Sequence, residues 1–219
     1  MTPYILWDWN GTLLDDTDAA VGALNAMLAR RGKPPITKAF YRDRFGFPVK
    51  PFYATIGVVL EDEDWDAIAR EYHDIYHLQP KGLNREAHAA LEMIRRAGGR
   101  QSIISALRQD LLDRDTMAEN VREFMEFIVG TDNLDGGSKI ERAHDLLERI
   151  RRAHPNEDFA FTLIGDSLHD KEVADELGVG CVLCAQGSHA DWRLRKVAPT
   201  FSTLLDAVQF CRSGGGVEF

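Results

Sequence analysis

Tyr4-Ile5-Leu6-Trp7 is an apolar run too short for a buried helix, and it stops on Asp8-Trp9-Asn10-Gly11-Thr12. Read as a buried strand broken at Gly11, it leaves the Asp8 carboxylate at a strand tip. That is where an open α/β sheet builds its ligand crevice. Residues 101–105, 159–164 and 179–183 repeat the apolar run, and Phe127-Ile128-Val129 is a weaker fifth. Helical patterns separate them, as over 86–97 and 140–152. Such alternation predicts βαβ units and an α/β fold in three layers, a doubly wound parallel sheet between helices.

The stretch from 16 to 83 breaks the rhythm. It carries helical patterns and turn signals but no core strand. Thr17 is placed to cap a helix running to Arg31, ended by Gly32 and Pro34-Pro35, and Thr37 to cap a second. Residues 61–78 read as a third, with Trp65, Ile68, Tyr72 and Ile75 near helical spacing. The expected organisation is a core domain of residues 1–15 and 84–219, with a helical cap domain inserted at 16–83. Gly214-Gly215-Gly216 reads as a frayed end.

The 219 residues suit one core domain plus such an insertion, and 44% hydrophobic content is enough for a buried core. With 26 basic against 35 acidic residues, the net charge is −9. That excludes a general nucleic-acid binder, whose footprint is a basic patch. There is no basic segment followed by an apolar one at the start, and no run near the roughly 20 apolar residues that span a bilayer. The expectation is a cytoplasmic protein off the membrane, a monomer or homodimer. Cys181, Cys184 and Cys211 are an odd set, which argues against a disulfide framework. Cys181 and Cys184 form a lone C-x-x-C inside an apolar strand and read as small core side chains rather than zinc or redox groups.

Phosphoryl transfer needs a nucleophile, a divalent cation, fixed positive charge and a proton for the leaving group. Asp8 suits the first role, since carboxylates form aspartyl-phosphates. Gly11 and Thr12 put small, N–H-rich backbone beside it, suited to a phosphate. Ser105 ends the second strand, so its hydroxyl and the N–H of Ala106 suit a phosphate oxygen. Ser138 and Glu141 fit a capping box that puts Lys139 in a first helical turn, against the helix dipole; an anion between them would make sense of it. Asp166 and Asp170, four apart after Gly165, suit a hard cation that prefers oxygen ligands; the plainer role for Asp166 is to cap the next helix.

Together these segments resemble the four motifs of the haloacid-dehalogenase-like (HAD) superfamily, with its Rossmann-like core. Asp8-Trp9-Asn10-Gly11-Thr12 is similar to motif one, Ser105 to motif two, Lys139 to motif three, and Gly165-Asp166-Ser167-Leu168-His169-Asp170 to motif four. The insertion resembles the C1 cap of the branch containing phosphoglycolate phosphatase and β-phosphoglucomutase. The resemblance implies a Mg²⁺-dependent phosphatase of small phosphorylated metabolites. Asp8 would be nucleophile and metal ligand, and residue 10 would give its backbone carbonyl to Mg²⁺. Asp166 would bind the ion directly, Asp170 would support it, and Ser105 and Lys139 would hold the phosphoryl group.

Position 10 departs from the pattern, because family phosphatases carry there a second Asp as general acid and base. An amide cannot exchange a proton at neutral pH. The expectation is a weakened or substrate-restricted phosphatase; the alternative is a catalytically impaired protein that binds phosphorylated ligands or regulates. His169, inside motif four, is a further proton-donor candidate. His73 and His77, one turn apart, have zinc-like spacing but no evident third ligand. Arg42, Arg44 and Lys50 could meet a distal anion of the substrate, with helix-surface charge the commoner role. Asp15 and Asp16 read as opening the next helix.

Overall fold

A computed structural model of the chain describes residues 1–58, 64–132 and 139–213. Strand β1 (Thr2–Trp7) is the middle of a six-stranded sheet with β4 (Arg100–Arg108), β5 (Ile128–Thr131), β6 (Phe159–Gly165), β7 (Gly180–Cys184) and β8 (Thr200–Phe201). The order is β5-β4-β1-β6-β7-β8, and every pair is parallel. Tyr4, Ile5, Leu6 and Trp7 are all buried, as expected where helices cover both faces of a parallel sheet. On one face Trp7, Ile103 and Val182 meet α5 (Ala87–Arg96) and α10 (Leu204–Arg212). On the other Tyr4, Leu6 and Leu163 meet α7 (Lys139–Ala153) and α8 (Leu168–Leu177). The chain leaves β1 for β4 on one side and returns through β6 on the other. The sheet therefore has its topological switch point at the tip of β1.

Helices α1 (Thr17–Arg30), α2 (Lys38–Arg44), α3 (Val49–Ile56) and α4 (Trp65–Leu78) form a second apolar cluster, built on Leu24, Met27, Leu28, Tyr41, Phe52 and Tyr76. Two short antiparallel strands, β2 (Leu14–Asp15) and β3 (Gly82–Leu83), bracket this segment at its neck. The helix expected over 61–78 is α4, which starts at Trp65 and is capped by Asp64; residues 61–63 lie outside the described residues. Thr37 caps α2 by accepting from Phe40 N–H, as its position predicts. Thr17 does not cap α1. Asp16 holds that position, and its carboxylate turns elsewhere. Gly214-Gly215-Gly216 also lies outside the described residues.

Strand β4 runs past its expected end at Ser105. Its register against β5 shifts between Ile104 and Arg108, and Thr131 Oγ1 donates to Ala106 O, so the strand bends at Ser105 and pairs again beyond it. Short β2, β3 and β8 and helices α3, α6 (Gln109–Ala118), α9 (Asp191–Leu194) and α10 are not part of the sequence expectation. No described helix is long and apolar enough to cross a membrane.

Candidate active site

The switch point gathers four chain segments. Asp8 follows β1 and is held there by its N–H, which donates to Ile164 O of β6 at 2.9 Å. Because β1 and β6 run in register, with Trp7 opposite Ile164, Asp166 emerges next to Asp8. Asp170 sits on the first turn of α8, and Lys139 opens α7. The Lys139 ammonium is 2.5 Å from Asp8 Oδ1 and 2.7 Å from Asp170 Oδ1, and is only 2% exposed. Burial works against its charge, but Asp170 and Asp8 on either side outweigh that and raise its pKa. Its proposed capping partner, Ser138, and the preceding Gly136 and Gly137 lie outside the described residues.

Asp170 has a double duty. Its Oδ2 accepts from Asp166 N, Ser167 N and Ser167 Oγ, completing a capping box with Ser167, while Oδ1 holds Lys139. Burial opposes its ionisation, yet Lys139 and Ser167 win and keep its carboxyl below the usual range. The helix cap is therefore Ser167, not Asp166, and helix capping explains Asp170 rather than Asp166. Asp166 instead accepts from the N–H and hydroxyl of Ser188. Burial and the nearby Asp170 push its pKa up to about 7.

The backbone leaves room for these carboxylates. A Cβ at Gly11 or Gly187 would collide with the Asp166 carboxylate, and one at Gly165 with Asp170. Gly11 also has φ +78, a left-handed conformation that side chains resist. Oxygens of Asp8, Asp166 and Asp170 lie within 4.8 Å of one another. Three carboxylates face one ammonium, and all donors are hard oxygens. That arrangement fits a divalent cation such as Mg²⁺. No cysteine joins such a group among the described residues, and Cys184 is buried in the sheet.

The neighbours of Asp8 differ in part from the sequence expectation. Gly11 N–H donates to Leu14 O and Asp16 Oδ1, and Thr12 N–H to Trp9 O, so both are already used. Thr12 is fully buried, its hydroxyl 3.4 Å from both Asp8 and Asp166 rather than in the cavity. Ser105 and Ala106 do line the cavity, and the Ser105 Oγ accepts from Leu107 N at 3.1 Å, which leaves its proton free to donate.

Asn10 is tied down from the helical side. Its amide nitrogen donates to Asp16 Oδ2 at 2.8 Å and to the Tyr76 hydroxyl at 3.0 Å, and Tyr76 itself donates to Asp16 Oδ2 at 2.5 Å. Both side-chain amide hydrogens are spent, so of that side chain only Oδ1 is left for a ligand, as an acceptor. Asp16 was expected merely to open a helix. It is a buried carboxyl on the cavity wall, raised by burial against the three hydrogen bonds it accepts. Asp16, Tyr76, Gly187 and Ser188 carry no motif in the sequence; pairing at a distance reveals them.

The rest of the wall comes from the helical segment, including Tyr41, Phe45, Phe47, Tyr53, Trp65 and Tyr72. Arg42 is turned away from it and donates to the carbonyls of Gln186 and Gly187, Arg44 pairs with Asp43, and Lys50 lies over the Trp65 ring. His169 lines the cavity against Phe47, its Nδ1 3.1 Å from Glu172 and its buried Nε2 without a partner among the described residues.

His73 and His77 stack at 6.0 Å without a third metal-ligating neighbour among the described residues. Burial, with His77 and Arg108 adding to it, pushes His73 down to about 4. Its ring ionises near 6.5 when unfolded. The unfolded chain then binds more protons between those values, so this stability is present above about pH 6.5 and lost as pH falls towards 4. Melting temperatures at pH 7 and pH 5 should therefore drop less for His73→Phe than for the wild type. Equal drops would show that His73 is solvated.

A family model described as haloacid dehalogenase-like hydrolase matches residues 5–184. The chain belongs to that family. Its relatives include a protein of Dickeya dadantii named "Probable phosphatase IndB", 23% identical, with 94% of each chain covered. A "Phosphoglycolate phosphatase" of Caulobacter vibrioides is 25% identical over 84% of this chain and 79% of its own. The haloacid dehalogenase-like fold is shared with a solved structure named Protein Tyrosine Kinase A, from Mycobacterium tuberculosis, at TM-score 0.76 and 21% identity, covering 99% of both chains.

Proposed function

We propose that this protein is a Mg²⁺-dependent phosphatase of small phosphorylated metabolites that works through an aspartyl-phosphate on Asp8. The supporting observation is the Asp8–Lys139–Asp170 ion cluster, with Asp166 beside it, at the base of one cavity. Two phosphatase-named relatives agree with it. The kinase-named structure shares a fold and lends no activity.

In this reading an Asp8 oxygen attacks phosphorus and the bond to the leaving oxygen breaks. Water then attacks the same phosphorus, the Asp8–phosphorus bond breaks, and Asp8 is regenerated with release of phosphate. Lys139 orients Asp8 and balances phosphoryl charge, and Ser105 donates its free proton to a phosphoryl oxygen. Backbone donors come from Trp9 and Asn10, whose N–H groups have no acceptor among the described residues. Mg²⁺, held by Asp8, Asp166, the backbone carbonyl of Asn10 and, in support, Asp170, would neutralise the non-bridging oxygens. Asn10 gives the leaving group no proton. The segment 16–83 acts as the cap, fastened to the core by Tyr76–Asp16–Asn10 and by Arg42. A phospholigand-binding protein without turnover is the second reading, and Asn10 is what favours it.

Phosphate release from a panel of monoesters with and without Mg²⁺ separates the two. The metal has its own test. At about 100 times Kd a ligand adds roughly 2.7 kcal/mol, and a chain of this size gains about 2–4 °C per kcal/mol. Saturating Mg²⁺ should thus raise the melting temperature by about 5–10 °C, and Asp166→Ala should abolish the rise. A flat titration of the wild type would rule the site out.

A further inference from the structure

The phosphoryl end of the cavity is rich in charge, and the opposite end is not. Tyr41, Phe45, Phe47, Tyr53, Trp65 and Tyr72 face it from the helical segment. Among the described lining residues of that segment there is no Lys or Arg. Lys50 lies over the Trp65 ring without itself lining the cavity, and the other basic side chains nearby are bonded elsewhere. Arg42 and Arg193 are bonded to backbone carbonyls across the neck, and Lys81 to Tyr76 O. Arg108, on the core side of the wall, is chelated by Asp110 at 2.6 and 2.8 Å. His73 is held neutral at physiological pH by its burial. Among the described residues of that segment the one carboxyl in the wall is Asp16, which would repel a second anionic group.

A substrate with a carboxylate or a second phosphate at its far end would have to strip that charge of water with no cation of the helical side lining the cavity to meet it, and Arg108 on the core side would have to leave Asp110. Such a burial is strongly unfavourable. An uncharged ring would instead meet aromatic faces and edges, which favour ring contacts beyond the area they bury. The cavity is small, about 170 Å³. A void of about 150 Å³ takes a benzene-sized guest, and the phosphoryl group takes up part of the same cavity, so its helical end has room for one ring at most and none for a nucleoside. A separate observation points the same way. Asn10 has both amide hydrogens engaged and supplies no acid, and phenolic leaving groups depart without one.

We propose that the helical half of the cavity is a binding site for a single uncharged aromatic ring, and that the substrates are phosphate monoesters of small aromatic alcohols. This rests on the phosphatase reading and narrows it. It sets the protein apart from the carboxylate-bearing substrate named for its Caulobacter relative.

Benzyl phosphate and 2-phosphoglycolate share a primary-alkoxide leaving group and differ in what lies beyond it. Benzyl phosphate should have a KM about 10- to 100-fold lower, the gain from burying one ring. Phenyl phosphate should match benzyl phosphate in KM and exceed it in kcat. Benzylphosphonate and phosphonoacetate repeat the comparison by calorimetry, without turnover. A benzylphosphonate Kd at least tenfold below that of phosphonoacetate is the expected result. Equal or reversed affinities overturn the ring site while leaving the phosphatase reading intact. Turnover of no ester, with benzylphosphonate still preferred, overturns the phosphatase reading and keeps the ring site. Val49→Lys puts a cation into the same wall and should narrow or invert the preference, with the melting temperature checking the fold; an unchanged preference would overturn the wall as its source.

Discussion

Asp8→Asn should lower Mg²⁺-dependent turnover by roughly 10⁶-fold, the order that losing a covalent nucleophile costs a hydrolase. The fold should survive. Asp8 is buried, with an ammonium at 2.5 Å, so the reason is not exposure at a strand tip. An amide of the same shape still accepts from Lys139, and Lys139 keeps Asp170 at 2.7 Å. Removing one of three crowded carboxylates also relieves their repulsion. The melting temperature should stay within a few degrees of wild type, and acid-stable phosphate on the protein should vanish from trapped turnover samples. Wild-type turnover in pure Asp8→Asn would assign the activity to another residue.

Asn10→Asp should raise turnover of alkyl esters by about 10²–10⁴, the span that general acid–base catalysis supplies, and of aryl esters by less. The structure adds a condition. Asn10 lies 2.8 Å from Asp16, so the single substitution sets two carboxyls against each other and one must hold a proton. Their shared pKa is raised, so stability is lost as pH rises above the ordinary carboxylate range. The exchange Asn10→Asp with Asp16→Asn keeps one amide and one carboxyl in contact, with Tyr76 still able to donate. It should therefore match the gain in alkyl-ester turnover while keeping wild-type stability at pH 8. Because Asn10-Gly11 is prone to deamidation, mass spectrometry must show that the starting protein retains its amide. If it does and already cleaves benzyl phosphate as fast as both variants, another group supplies the proton. His169, in the cavity with an Nε2 that has no partner among the described residues, would be that group.

The alternation of short apolar runs with helical patterns determined the parallel sheet. A strand buried on both faces has to be mostly apolar, as residues 4–7, Ile103-Ile104, Leu163-Ile164 and Val182-Leu183 are, and the few polar side chains among them, such as Gln101 and Ser102, are hydrogen-bonded. The polar residues that stop those runs determined where Asp8, Ser105 and Asp166 would stand, because a strand tip is fixed by its register. Asp170 followed from one helical turn. Lys139 was legible only as an oddity, a cation at the wrong end of a helix; the two carboxylates that justify it come from 131 residues before it and 31 after. Tertiary structure alone decided what Asn10 can do. Its amide is oriented by Asp16, six residues on, and by Tyr76, 66 residues on, and no local pattern encodes that pairing. Ser188, which anchors Asp166, stands 22 residues from it in an irregular loop with no motif. The aromatic wall was hidden for a related reason. Trp65 and Tyr72 read as positions near helical spacing and Tyr41, Phe45 and Tyr53 carry no motif, and all of them line a cavity only because the helical segment folds back over the tip of β1.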